Sequence, residues 1–248
     1  MRSEVGPPAI VPVIDILGGV VVRGIAGRRE TYRPIRSTLT ESTDPVGVLR
    51  DLCRAFEPTV VYVADLDAIV HGKRDVELWR TLAECPKASE IREPQLWLDA
   101  GFARAADLPD IPGIVPVIGL ESQTSFADMP RMLSNAPDAV FSLDLKCGRP
   151  IANGDYVGLS AVDIARIAVD AGVARMLLLD LAAVGMGNGT GTLELLGELS
   201  VLYPHVEYYG GGGVTSRHQL EDPIAYNYSG ILIASALHDG RIPGVSRR

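Results

Sequence analysis

Cysteine is scarce in this chain. Three residues in 248, Cys53, Cys85 and Cys147, are scattered and odd in number, which argues against a disulfide framework or a paired-cysteine metal site. Long apolar runs are missing too, and none approaches the roughly 20 residues a membrane span needs. The opening MRSEVGPPAIVPV is too short and too broken by proline to read as a signal peptide. Positive charge is in the minority: 23 Lys and Arg stand against 31 Asp and Glu, a formal net charge of −8. That balance lacks the basic face a nucleic-acid binder uses. The four histidines, His71, His205, His218 and His238, show no metal-ligand spacing. Low-complexity and linker-like stretches are absent, so no internal domain boundary is drawn. The expectation is a soluble cytoplasmic protein, one domain over residues 1–248, without metal, cofactor, nucleic-acid or membrane partner. No unmistakable exposed apolar stripe sets an oligomeric state.

What is present is repetition. VPVIDI, Val11 to Ile16, returns halfway along as VFSLDL, Val140 to Leu145. Each is a short apolar run ending in a carboxylate, the mark of a buried strand whose last turn faces a mouth. Further strands are predicted at TVVYVADLDAIV, QLWLDAG, IVPVIGLES, RMLLLDLAAVG, VEYYGGGG and GILIASAL, with helical patterns between them. Asp44 and Pro45 form an N-cap and first helical position ahead of Leu49, Leu52 and Phe56. Another helix runs through Phe126, Met129 and Leu133, and Gly172 ends a third. The segment from Gly18 to Ser42 is a long polar loop of the kind that is functional or disordered.

Eight strands alternating with helices imply a parallel sheet, and eight such units close most naturally into a (β/α)8 TIM barrel. The halves, about residues 10–135 and 136–240, match rung by rung: VIDI with SLDL, YVADLD with LLLDLA, LWLDAG with YYGGGG, VIGLES with LIASAL. A doubly wound open sheet is the rival, but GGVVVRG after the first strand does not supply its glycine turn.

Active sites of such barrels lie at the carboxyl ends of the strands. Asp15 and Asp144, from strands one and five, would face one another across the mouth and could divide general-acid and general-base work. The alternative for each is a loop cap or an arginine pair. GGGGVTS, Gly210 to Ser216, and ILIAS, Ile231 to Ser235, fall where barrels build phosphate sites, with Gly212, Gly213, Ala234 and Ser235 as the binding positions. Lys146, two residues after Asp144, should face the same mouth as a substrate contact. It could form a Schiff base if desolvated, which would make the protein a lyase or aldolase. Arg23 reads as a substrate-binding residue. Asp65, Asp67 and Asp180 could gather around a cation or contact substrate directly. Tyr208 and Tyr209 alternate along strand seven and read as packing. A non-catalytic barrel that keeps one phosphate pocket is the rival from outside enzymology.

The order IDI…G…VVR, then ADLD, then LD at strand five, then GGGVTS and AS at strands seven and eight, resembles the histidine-biosynthesis (β/α)8-barrel family. That family holds the phosphoribosylformimino-aminoimidazole carboxamide ribotide isomerase and the cyclase subunit of imidazole glycerol phosphate synthase. The resemblance, from about Ile10 to Asp239, is nearer the isomerase, whose two catalytic aspartates fall on Asp15 and Asp144. It implies an Amadori rearrangement of a phosphorylated aminoaldose without a metal, and assigns Asp65 and Asp180 to substrate contact or support. It also marks departures. At the first-half phosphate site the family's glycine triplet reads Asp99, Ala100, Gly101, and its Gly-Ser pair reads Gly119, Leu120, with Glu121 adjacent. The isomerase's threonine before the sixth-strand acid reads Leu179, and its Asp-Gly-Thr reads Val184, Gly185, Met186. The expectation is a diverged relative acting on a mono-phosphorylated substrate, with synthesis of a one-carbon carrier cofactor as a candidate context.

Overall fold

A computed structural model of the chain describes residues 7–25, 27–85, 93–187, 189–221 and 227–244. Eight parallel strands close into a barrel: β1 (Ala9–Leu17), β4 (Val60–Asp65), β5 (Gln95–Asp99), β6 (Ile114–Gly119), β7 (Val140–Lys146), β9 (Arg175–Asp180), β10 (Glu207–Gly211) and β11 (Gly230–Ile233). Each pairs with the next, and β11 returns to β1 through Ala9↔Gly230 to Pro12↔Ile233, so the ring of eight is closed. This is the (β/α)8 barrel the sequence implied. Among the described residues there is no doubly wound sheet.

The intervening helices are α1 (Pro45–Phe56), α2 (Leu66–His71), α3 (Val76–Glu84), α4 (Asp128–Asn135), α5 (Ala161–Asp170), α6 (Leu193–Leu202), α7 (Arg217–Leu220) and α8 (Ser235–His238). Their starts follow from side chains able to accept the free N–H groups of a first turn. Asp44 takes Gly47 N at 2.8 Å, with Pro45 at the first helical position. Asp65 caps α2, Asp75 caps α3 and Ser160 caps α5 in the same way. Gly172, at φ 107°, follows the end of α5. Among the described residues no helix is long and apolar enough to cross a membrane.

Strand alternation divides the apolar side chains into two cores. Along β4, Val61 and Val63 pack outward against the helices, whereas Tyr62 and Ala64 point into the barrel. Ile14 and Ile16 of β1 and Leu143 and Leu145 of β7 also go outward. Inside, Trp97 meets Tyr209 edge-on at 4.5 Å, and Tyr208 one position earlier lies in the outer core. Both tyrosines therefore pack, as expected.

Three expectations need correction. The second strand stops at Asp65 and Asp67 lies in α2, because Asp65 itself starts a helix by accepting Ala68 N. Phe126 precedes α4, which opens at Asp128. The polar segment after β1 is not all loop: β2 (Val20–Arg23) folds back antiparallel on β1, and β3 (Arg33–Pro34) pairs with β2. The two-residue turn Gly18-Gly19 has φ of 61° and 76°, the geometry that matches hairpin twist. Its counterpart after β7 is Cys147-Gly148, at 53° and 73°, leading into β8 (Arg149–Pro150). In each half a carboxylate holds the turn: Asp67 accepts Gly18 N at 2.6 Å, and Asp180 accepts Cys147 N and Gly148 N at 3.0 and 2.8 Å.

Candidate active site

At the carboxyl ends of the strands the barrel opens into a cavity of about 130 Å³. Asp15 and Asp144 both line it, carried there by β1 and β7, which stand four strands apart in the ring of eight. Asp144 is 5% exposed; Ser142 Oγ donates to its Oδ1 at 2.5 Å and Glu121 N to its Oδ2 at 3.4 Å. Burial, reinforced by the charges of Glu121 and Asp99, raises the Asp144 carboxyl well above the usual carboxylate range. Burial also pushes Asp15 up to about 7, against the nearby Arg29 guanidinium and with help from Asp99. No described residue makes a hydrogen bond or ion pair with the half-buried Asp15 carboxyl, Arg29 being paired with Glu121 instead. Gly24 lies against it so closely that a Cβ there would sit 2.8 Å from Oδ2.

Asp99 is a third acid in the cavity. It is 8% exposed, accepts Tyr62 Oη at 2.9 Å and Gly101 N at 3.2 Å, and is raised to about 6, chiefly by burial. Its carboxylate and that of Asp144 flank Gly119, at 3.7 and 3.3 Å from where a Cβ would be. Glu121 completes this side and is held by Arg29 at 2.9 Å.

The opposite side is built from backbone. Gly212, Gly213, Ala234 and Ser235 line the cavity together, and Arg241, whose guanidinium is paired with Asp239, lines it too. Gly213 has φ 69°, and a Cβ would lie 2.2 Å from Gly189 O, so no other residue fits. Leu179 and Val184 supply an apolar wall, whereas Met186 is half exposed and outside it.

Four expected site residues stand elsewhere. Both Asp65 oxygens are used away from the mouth, by Ala68 N at 3.0 Å and the Trp79 indole N–H at 2.8 Å. Asp180 spends its oxygens on Cys147, Gly148 and Ala182 N–H groups. Lys146 is exposed at the β7–β8 hairpin and does not line the cavity, because the strand has passed the rim by that residue. Arg23 is bound to Asp239 through two hydrogen bonds, 2.6 and 3.0 Å, in a small side recess behind Ser235. Asp67 and Asp180 hold separate hairpins, and among the described residues no group of His, Cys, Asp and Glu is placed to hold a metal ion. Asp99, Glu121, Arg29, Tyr62 and Arg241 are cavity residues that sequence reasoning either assigned to a lost phosphate site or passed over.

A family model described as histidine biosynthesis protein matches residues 9–243. The chain belongs to the histidine biosynthesis protein family. Among its relatives is an uncharacterised protein of Methanocaldococcus jannaschii, 26% identical over 238 residues and 93% of each chain. Two others are each named 1-(5-phosphoribosyl)-5-((5-phosphoribosylamino)methylideneamino)imidazole-4-carboxamide isomerase. The one from Anaeromyxobacter dehalogenans is 26% identical over 249 residues and 94% of each chain. That from Sphingopyxis alaskensis is 28% identical over 248 residues, 94% of this chain and 93% of its own. Membership of the histidine biosynthesis family thus comes with isomerase-named relatives at low identity.

Proposed function

We propose that this histidine biosynthesis family member is an aldose–ketose isomerase that rearranges a mono-phosphorylated aminosugar by acid–base proton transfer. The observation that supports it is the meeting of Asp15 and Asp144, from opposite sides of the barrel, in one cavity beside the Gly212, Gly213, Ala234 and Ser235 backbone. Glycines that expose N–H groups, together with the Arg241 guanidinium, suit a phosphate dianion.

Asp144, whose carboxyl burial raises well above the usual carboxylate range and which Ser142 Oγ and Glu121 N hold in place, is the proton donor. It protonates the sugar ring oxygen as the C1–O bond breaks, and the amino nitrogen lone pair forms an iminium at C1. Asp15 takes the C2 proton; the C–H electrons become the C1–C2 double bond of an enolamine, and the iminium electrons return to nitrogen. Proton return to C1 and loss of the C2 hydroxyl proton give the aminoketose. C1 is reduced, C2 oxidised, and no atom is gained or lost. With Asp15 near 7, the base limb of the rate profile rises through neutral pH.

The test follows isomerisation of phosphorylated aminoaldoses in deuterium oxide by NMR. Turnover with solvent deuterium entering at C1 is expected, falling about a hundredfold or more in Asp15→Asn and in Asp144→Asn. Wild-type protein inert toward every such sugar, or Asn variants as active as wild type, would refute the reading.

A further inference from the structure

The two ends of the cavity carry opposite chemistry, although the repeat makes their positions equivalent. LWLDAG of β5 corresponds to YYGGGG of β10, and VIGLES of β6 to LIASAL of β11. On the β10–β11 side this gives Gly212, Gly213, Ala234 and Ser235, with Arg241 close by. On the β5–β6 side the same register gives Ala100, Gly101, Gly119 and Leu120, and the acids flanking them, Asp99 and Glu121, line the cavity. Asp15 and Asp144 face that space as well, and Arg29 is the guanidinium on this side, already paired with Glu121 at 2.9 Å. Asp15, Asp99 and Asp144 have no cation within ion-pair distance among the described residues. Asp15 lacks even a hydrogen-bond donor there, an acceptor left open toward the cavity. The Tyr32 and Tyr62 rings line the same end.

We infer that the β5–β6 end of the cavity receives a protonated amine, distinct from the neutral nitrogen that reacts at C1, so that the substrate is a phosphorylated amine whose ammonium meets Asp99 and Glu121 and whose phosphate meets the β10–β11 end. The inference rests on the phosphate reading given under Proposed function and adds the second end of the ligand. A phosphate is excluded by like charge: each carboxylate would repel it by about 1 kcal/mol or more. A metal ion is a poor fit, because the acids do not converge as a coordination set among the described residues. An ammonium fits, since its three donors can reach separate carboxylates and its charge is favoured against aromatic faces. Burial that holds Asp99 near 6 and Asp15 near 7 is the cost such a cation would offset.

The experiment is calorimetric titration of the full chain with ω-aminoalkyl monophosphates of graded length, beside alkyl monophosphates and α,ω-alkyl bisphosphates of equal length. The amine is expected to tighten binding about tenfold to a hundredfold over the plain alkyl monophosphate. That ratio should fall toward one in Asp99→Asn and in Glu121→Gln, each first shown to unfold cooperatively. Equal affinity of aminoalkyl and alkyl phosphates overturns the amine and leaves the phosphate reading standing. Tighter bisphosphate binding overturns the amine and the single-phosphate reading together. Failure of every phosphate to bind removes the reading on which the inference rests.

Discussion

Asp99 is held at a cost to stability, and the cost has a sign. Its carboxyl titrates near 3.8 in the open chain and near 6 when folded, because burial disfavours the charge and Glu121 adds to the effect. The folded protein therefore binds this proton more tightly than the unfolded chain does. Stability from this group is full below about pH 4 and is lost as pH climbs through about 6. The displacement corresponds to about 3 kcal/mol. Asp99→Asn removes the charge and keeps an oxygen for Tyr62 Oη, so its stability relative to wild type should improve by about that amount between about pH 4 and about pH 8. In a chain of this length the gain corresponds to about 6 to 12 °C in Tm. Urea unfolding, followed by the fluorescence of the buried Trp79 and Trp97, measures it at both pH values. A variant whose stability difference from wild type does not change with pH would refute the account of Asp99 as an uncompensated acid.

Asp65→Ala should lower stability by about 2 kcal/mol by removing the α2 cap and orphaning the Trp79 indole, with kcat and KM unchanged; a large loss of turnover in a folded variant would put Asp65 in contact with substrate. Gly213→Ala forces a Cβ toward Gly189 O at a backbone φ of 69°. Phosphate affinity should fall at least tenfold and stability by about 1 to 3 kcal/mol, read by calorimetry and unfolding. Unchanged phosphate binding would detach that glycine from the anion site.

Much of the fold was legible because each half opens with the same strand-and-acid phrase, and only a closed parallel barrel uses eight such runs without leaving an edge. The candidate site was legible where strand ends and parity agree. Asp15 and Asp144 lie an even number of residues from the inward Val13 and Val140, so they point inward too. The same parity carries Asp99 inward, two positions after Trp97, and sends Asp65 outward, one position after Ala64. Counting strand ends without parity placed Asp65 and Asp180 at the mouth. Lys146 obeys parity but lies past the rim, in a hairpin set by Cys147 and Gly148. Arg29 and Arg241 carry no such signal, because the cavity gains them from the segment after β2 and from the turn after α8.

The central proposal is a cavity with one anion end and one acidic end, spanned by the aspartate pair proposed as acid and base. Crystals grown in inorganic phosphate and then examined for bound anions test it most directly. One phosphate per chain at Gly212, Gly213, Ala234 and Ser235, within reach of Arg241, is the expected result. A phosphate also bound between Gly101 and Glu121, or bound there alone, would contradict it.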